Sequence, residues 1–147
     1  MRKFFKHSTF KLSVFFLFFF LFSKVFASDP PPPEALSNHA YAILSADSID
    51  MGRLQAGNPG VGSITLTNAG NREMIVARVR SSCGLLITSW PAKPLSPGEQ
   101  ASISFRYDTS TLGAFRRNIV IHTNAWQGTL VVPVKGEVVP ARPKASD

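Results

Sequence analysis

Cysteine is nearly absent from this chain: among 147 residues only Cys83 carries a thiol. An internal disulfide is therefore excluded, as are the multi-cysteine zinc arrangements that hold many small domains together. Acidic residues are sparse too, nine against 16 lysines and arginines. No glycine-rich phosphate loop, Gly-x-Ser-x-Gly elbow or His-Glu-x-x-His motif occurs. Those gaps remove the usual sequence grounds for nucleotide hydrolysis, serine esterase chemistry and zinc proteolysis. After residue 27 no segment keeps a sustained 3.6-residue apolar stripe, so a helical bundle is not expected either.

What is present begins with a leader. Arg2, Lys3, Lys6 and Lys11 precede an uncharged apolar run of 11 residues from position 12 to 22, and Val25-Phe26-Ala27 follows with a small residue last. That layout predicts a secretory signal peptide over residues 1–27, cut between Ala27 and Ser28. The run falls short of the roughly 20 apolar residues a membrane-spanning helix needs. Membrane contact is therefore expected only through the leader, if it stays uncleaved. With it go five of the 16 basic residues and no acid, which leaves a mature chain of +2. A pI of about 10.1 for the whole chain is thus no argument for nucleic acid, which is not expected as a partner.

Residues 28–39 contain Pro30 to Pro33 in a row and read as a polyproline spacer, and residues 140–147 as a solvated tail. Between them apolar residues recur mainly with a period of two, in short runs separated by Gly, Pro and Asn. The pattern predicts strands over 40–44, 49–54, 61–67, 74–80, 85–90, 102–108, 117–123 and 129–135. Ile103, Phe105 and Tyr107 share a face, as do Ile119 and Ile121, and Leu130, Val132 and Val134. In the fourth strand Ile75, Ala77 and Val79 are expected to point inward and Arg78 and Arg80 outward, with Met74 and Val76 outside unless a bulge resets the register. Pro133 places the last strand at an edge or at a bulge. Seven to eight antiparallel strands in two sheets make an all-β sandwich over residues 40–139.

Asn68-Ala69-Gly70, Ser81-Ser82-Cys83-Gly84, Pro97-Gly98-Glu99, Gly113-Ala114-Phe115-Arg116, Thr123-Asn124 and Gly136-Glu137-Val138 follow one another in a familiar order and spacing. The chain resembles the exported bacterial immunoglobulin-like domains of unknown function that carry a Cys-Gly-Cys signature, relatives of the Hydin (ASH) and major sperm protein modules. The resemblance covers residues 49–139 and implies an immunoglobulin-like sandwich without established enzymatic activity. Leu85 stands where the second cysteine of that signature falls, so roles that need the thiol pair do not carry over.

Cys83 is the first candidate site, as a nucleophile, soft-metal ligand or intermolecular disulfide partner, with a buried small apolar residue as the blander and preferred reading. His39 and His122 could serve a thiol only if the fold brought them to it, and neither position suggests that it does. A copper site would need Cys, two His and a weak axial ligand clustered together, which the spacing does not offer. No cofactor or metal is expected, and no catalytic residue is assigned. Arg78, Arg80, Arg116 and Arg117 could form a basic face for an acidic partner, lipid headgroups or a sulfated polysaccharide, or could simply be solvated outer positions. Trp90 and Trp126 are the best anchors for a partner, unless they cap the sandwich. The expected role is a non-catalytic binding or structural module whose partner is another envelope or extracellular protein, outside the cytoplasm. A thiol- or metal-handling accessory protein centred on Cys83 is the alternative.

Overall fold

Side chains of a strand alternate between its two faces, so each run of alternating apolar and polar residues can bury one row and wet the other. The computed structural model describes residue 33 and residues 37–142; the expected signal peptide, most of the expected polyproline spacer and the end of the expected tail lie outside the described residues. Eight strands are found there: β1 (Ala42–Leu44), β2 (Ile49–Gln55), β3 (Gly60–Asn68), β4 (Val76–Ser81), β5 (Leu85–Ser89), β6 (Gln100–Tyr107), β7 (Gly113–Thr123) and β8 (Thr129–Val139). They form two four-stranded sheets, ordered β1-β3-β6-β5 and β2-β8-β7-β4. The fold is an immunoglobulin-like sandwich.

One ladder departs from the antiparallel expectation. β2 runs parallel to β8, from Ile49 opposite Val134 to Gln55 opposite Val139, with a bulge between Asp50 and Arg53 at left-handed Gly52. This ladder also explains Pro133. The backbone N and O of Asn118, its partner on β7, both bond to Ser82, so the missing N–H of Pro133 points away from β7. On that side β2 begins only at Val134, and the first half of β8 is a local edge.

Between the sheets Ile64, Leu66, Ile103, Phe105, Ile119, Ile121, Val132 and Val134 are fully buried. Burying each such side chain contributes about 1.5–3 kcal/mol, so packing alone sustains the fold without a disulfide. The core is drawn entirely from residues 40–138. Tyr107 stacks on Phe115 with ring centroids 3.7 Å apart, joining the sheets near one end.

The fourth strand inverts the expected faces over its first half. Met74 and Val76 are buried while Ile75 and Ala77 face solvent. A bulge between Val76 and Arg78 resets the register, after which Val79 faces in and Arg78 and Arg80 face out as expected. β7 and β8 are each four residues longer than the sequence indicated, because glycines that look like strand ends are held inside the ladder opposite Val138 and Phe115.

Asn68, the last residue of β3, is fully buried. Its Nδ2 donates to the Arg72 and Leu95 carbonyls (2.7 and 2.9 Å), and its Oδ1 accepts from the Gly70 and Tyr41 N–H groups (3.1 and 3.3 Å). Edge strand β1 is closed in a similar way: the Gln127 amide bonds both the N–H and the C=O of Ala42 (3.1 and 2.8 Å). That occupies the edge a foreign strand would use.

Candidate partner-binding surfaces

Ladder directions decide which loops meet. β3 and β7 end at one pole, and β1, β4, β6 and β8 begin there; β5 runs toward it but stops where Ser89 faces Ser104, half-way along β6. The same pole holds the N-terminal residues 37–41, which the backbone bonds Trp126 N–Ala40 O and Asn71 N–His39 O fasten to it. Trp126, in the β7–β8 turn, therefore stands at this pole at 51% exposure, with Ile75 at 48%, while Trp90, at 45%, lies just past β5, about half-way along the sheet on its far edge. Trp126 leans on the His39 ring, centroids 4.9 Å apart. Neither tryptophan belongs to the buried core, and Ile75, expected inside, joins them outside because of the β4 bulge.

The opposite pole carries Cys83. It sits in the turn between β4 and β5, which left-handed Gly84 completes, and it is exposed rather than buried. The residue that follows the glycine, Leu85, is the one that enters the core. Arg117 is only half-exposed and follows the inward parity of β7; its Nε donates to the Cys83 carbonyl at 2.7 Å. Arg117 is thereby a brace between the sheets, and the basic outer face keeps Arg78, Arg80 and Arg116 alone of the four. Cys83 borders a recess of about 190 Å³ together with Ser110, Leu112 and Tyr107. His122 lies five residues along β7 from Arg117, about 17 Å away at strand rise, and its Nδ1 meets Thr129 Oγ1 at 3.1 Å. His39 is at the other pole. The structure brings neither imidazole to the thiol.

A wider open cleft of about 660 Å³ flanks the same pole, bounded by Gly57, Pro59, Leu86, Arg106, Asp108 and Ser110. Four of the six carboxylates between residues 37 and 142 have structural partners instead of one another. Asp50 pairs with Lys135 (3.3 Å) and Glu137 with Arg53 (3.2 Å), while Glu99 accepts from Ser96 N–H and Asp108 from Ser110 N–H. The Gly52 N–H first and Lys135 second hold the Asp50 carboxyl below its usual range. Among the described residues no three His, Cys, Asp or Glu side chains gather as a metal site.

A family model described as a protein of unknown function, DUF1573, matches residues 43–138, from β1 to the end of β8. The chain belongs to the DUF1573 family. No curated protein matches it. Among solved structures, this DUF1573 chain is similar to a protein of unknown function from Porphyromonas gingivalis W83 (20% identity, TM-score 0.60, 75% of this chain and 51% of that one). It spans only about half the length of that structure. It is also similar to the ASH/PapD-like domain 7 of human CEP192 (12% identity, TM-score 0.56, 82% and 97% covered). A third likeness is to WR4, a member of the major sperm protein family from C. elegans (12% identity, TM-score 0.50, 67% and 99% covered). At these identities the likeness establishes the immunoglobulin-like fold of the DUF1573 domain alone.

Proposed function

We propose that this DUF1573 chain is an exported, non-catalytic module that grips another protein through its exposed tryptophans, Trp126 at one pole and Trp90 beside β5. The observation that carries the reading is the presence of three half-exposed large apolar side chains on a rigid sandwich, Ile75 and Trp126 at one pole and Trp90 beside the end of β5. Tryptophan is the residue most enriched where interface energy concentrates, and a preorganised platform spends little entropy on binding. Here the platform is braced by the Asn68 amide and the Gln127 clamp. The leader supports export, and the structural engagement of the carboxylates supports a module without acid–base chemistry. A second reading, a thiol-handling accessory protein, draws on the exposure of Cys83 beside its recess.

One affinity capture from an envelope extract tests both, using residues 28–147 as bait. Losing two interface tryptophans costs roughly 2 kcal/mol or more each, so a Trp90→Ser/Trp126→Ser bait binds the partner several hundredfold more weakly, by about 4 kcal/mol. Cys83→Ser leaves recovery unchanged under the first reading and abolishes it under the second. Equal recovery by the wild-type and double-tryptophan baits overturns the first.

A further inference from the structure

The two outer faces of the sandwich differ in charge. Outside β1-β3-β6-β5 lie hydroxyls, among them Ser63, Thr65, Ser102 and Ser104, and one cation, Arg106. Outside β2-β8-β7-β4 the strands present five cations and two carboxylates, a net of +3. Residues 37–142 together hold ten cations and six acids, so three of their four excess charges sit on this one face. Two of the five cations are engaged in the Lys135–Asp50 and Arg53–Glu137 pairs across the parallel ladder. Arg78, Arg80 and Arg116 face solvent, and among the described residues none has a carboxylate within ion-pair distance.

These three guanidiniums are spread out. Arg78 and Arg80 stand on one face of edge strand β4, about 7 Å apart, and Arg116 is four positions along β7 from Val120, the partner of Arg80, or about 14 Å. Half-buried Val120 stands beside Arg80, and Val131, exposed to 53%, is next to it across β7, on the side away from β4. A single small anion cannot reach all three, but a broad planar array of phosphates can. We propose that this face lies against an anionic lipid surface, with the arginines on headgroup phosphates and Val131 resting beside them. Guanidinium pairs with phosphate through paired N–H donors, and its aliphatic stem tolerates the apolar boundary below. A protein partner is the weaker fit, because among the described residues the exposed aromatic anchors are Trp90 and Trp126, and neither stands on a strand of this sheet. The contact is additional to the leader, through which alone the sequence led us to expect a membrane.

Co-sedimentation of residues 28–147, whose core is complete within 40–138, with vesicles decides the matter. Vesicles of equal parts phosphatidylglycerol and phosphatidylcholine bind the protein and pure phosphatidylcholine vesicles do not. Each arginine near an anionic surface is worth about fivefold in partitioning, so Arg78→Gln/Arg80→Gln/Arg116→Gln lowers binding about a hundredfold. The charge-retaining triple lysine variant keeps it, and Arg106→Gln on the opposite face leaves it unchanged. Raising salt until the Debye length shrinks from about 10 to about 3 Å releases the protein. The proposal is overturned if the two vesicle types bind alike, if the glutamine variant binds as the wild type does, or if polyglutamate captures a protein that anionic vesicles leave in solution.

Discussion

A primary amide has two donors and an acceptor oxygen with two lone pairs, and Asn68 fills all four while fully buried. Asn68→Ala strands the Tyr41 and Gly70 N–H groups and the Arg72 carbonyl, while the Leu95 carbonyl keeps the Met74 N–H; each stranded group costs about 1 kcal/mol or more. A loss of about 3–5 kcal/mol is expected, a large share of the stability of a small domain. Asn68→Asp is expected to be at least as damaging near neutral pH, because a carboxylate oxygen then faces the Arg72 and Leu95 carbonyls. Urea unfolding measures both, and a loss below about 1 kcal/mol for the alanine variant contradicts the role assigned to the amide. Two positions on, Gly70 lets the chain pass: an added Cβ would stand 2.5 Å from Tyr41 N and 2.8 Å from the Ala40 carbonyl carbon. The Asn-x-Gly turn visible in the sequence is thus a packing joint. Asp50 supplies the pH dependence at this scale. Its pKa is lowered on folding, so its contribution is present above the ordinary carboxylate range and is lost as the pH falls through the folded value. The group is exposed and screened, so the effect is small. Urea midpoints of wild type and Asp50→Asn should differ most near neutrality and converge in acid.

Glycine normally weakens a strand, and alanine is the better resident. Two strands here reverse that rule. In β8 a Cβ on Gly136 would stand 2.6 Å from Cζ of Phe115, its cross-strand partner, and 3.1 Å from the Gly52 carbonyl. In β3 a Cβ on Gly62 would stand 2.7 Å from Cε2 of its partner Phe105. Each sheet therefore lays one phenylalanine ring over one glycine. Gly136→Ala and Gly62→Ala are expected to destabilise by about 1–3 kcal/mol through overpacking. Phe115→Leu made together with Gly136→Ala should cost less than the sum of the two single changes, which a double-mutant cycle in urea would show. Additive costs would mean the ring and the glycine are not coupled. The same pairs mark the limit of what the sequence discloses. Eight strands were legible because period-two runs and turn residues are local signals. The far ends of β7 and β8 were not, since Gly113 and Gly136 look like breaks until a partner strand is known to cover them. The face of Met74 and Ile75 was lost to a bulge that only the β4–β7 pairing reveals. Cys83, Trp90 and Trp126 were legible as residue types, but the exposure of the thiol and the place of Trp126 at the pole with Ile75 are products of topology.

Across the whole molecule the sheet orders interleave distant parts of the chain: β1 pairs with β3, β3 with β6, β4 with β7, and β2 with β8. Only β5–β6 and β7–β8 join consecutive strands, and β7–β8 is the longest ladder, closed by the short turn at Asn124 to Gly128. Loop-closure entropy must be met before a distant pairing returns any stabilisation, so a sandwich of this kind folds in milliseconds to seconds. The β7–β8 hairpin is the cheapest place to begin. The parallel β2–β8 ladder needs most of the chain to be in place and should form late. Ile121→Val, costing about 0.5–1.5 kcal/mol in the hairpin, is therefore expected mainly to slow folding. Leu54→Ala in β2 is expected mainly to speed unfolding, with a φ-value near zero. Stopped-flow chevrons of the two variants separate these outcomes. With a single cysteine, Cys83, no thiol pairing within the chain can blur the phases. A φ-value near one for Leu54 would mean that the closing of the termini through β2 and β8 nucleates the fold, reversing the order argued from loop length.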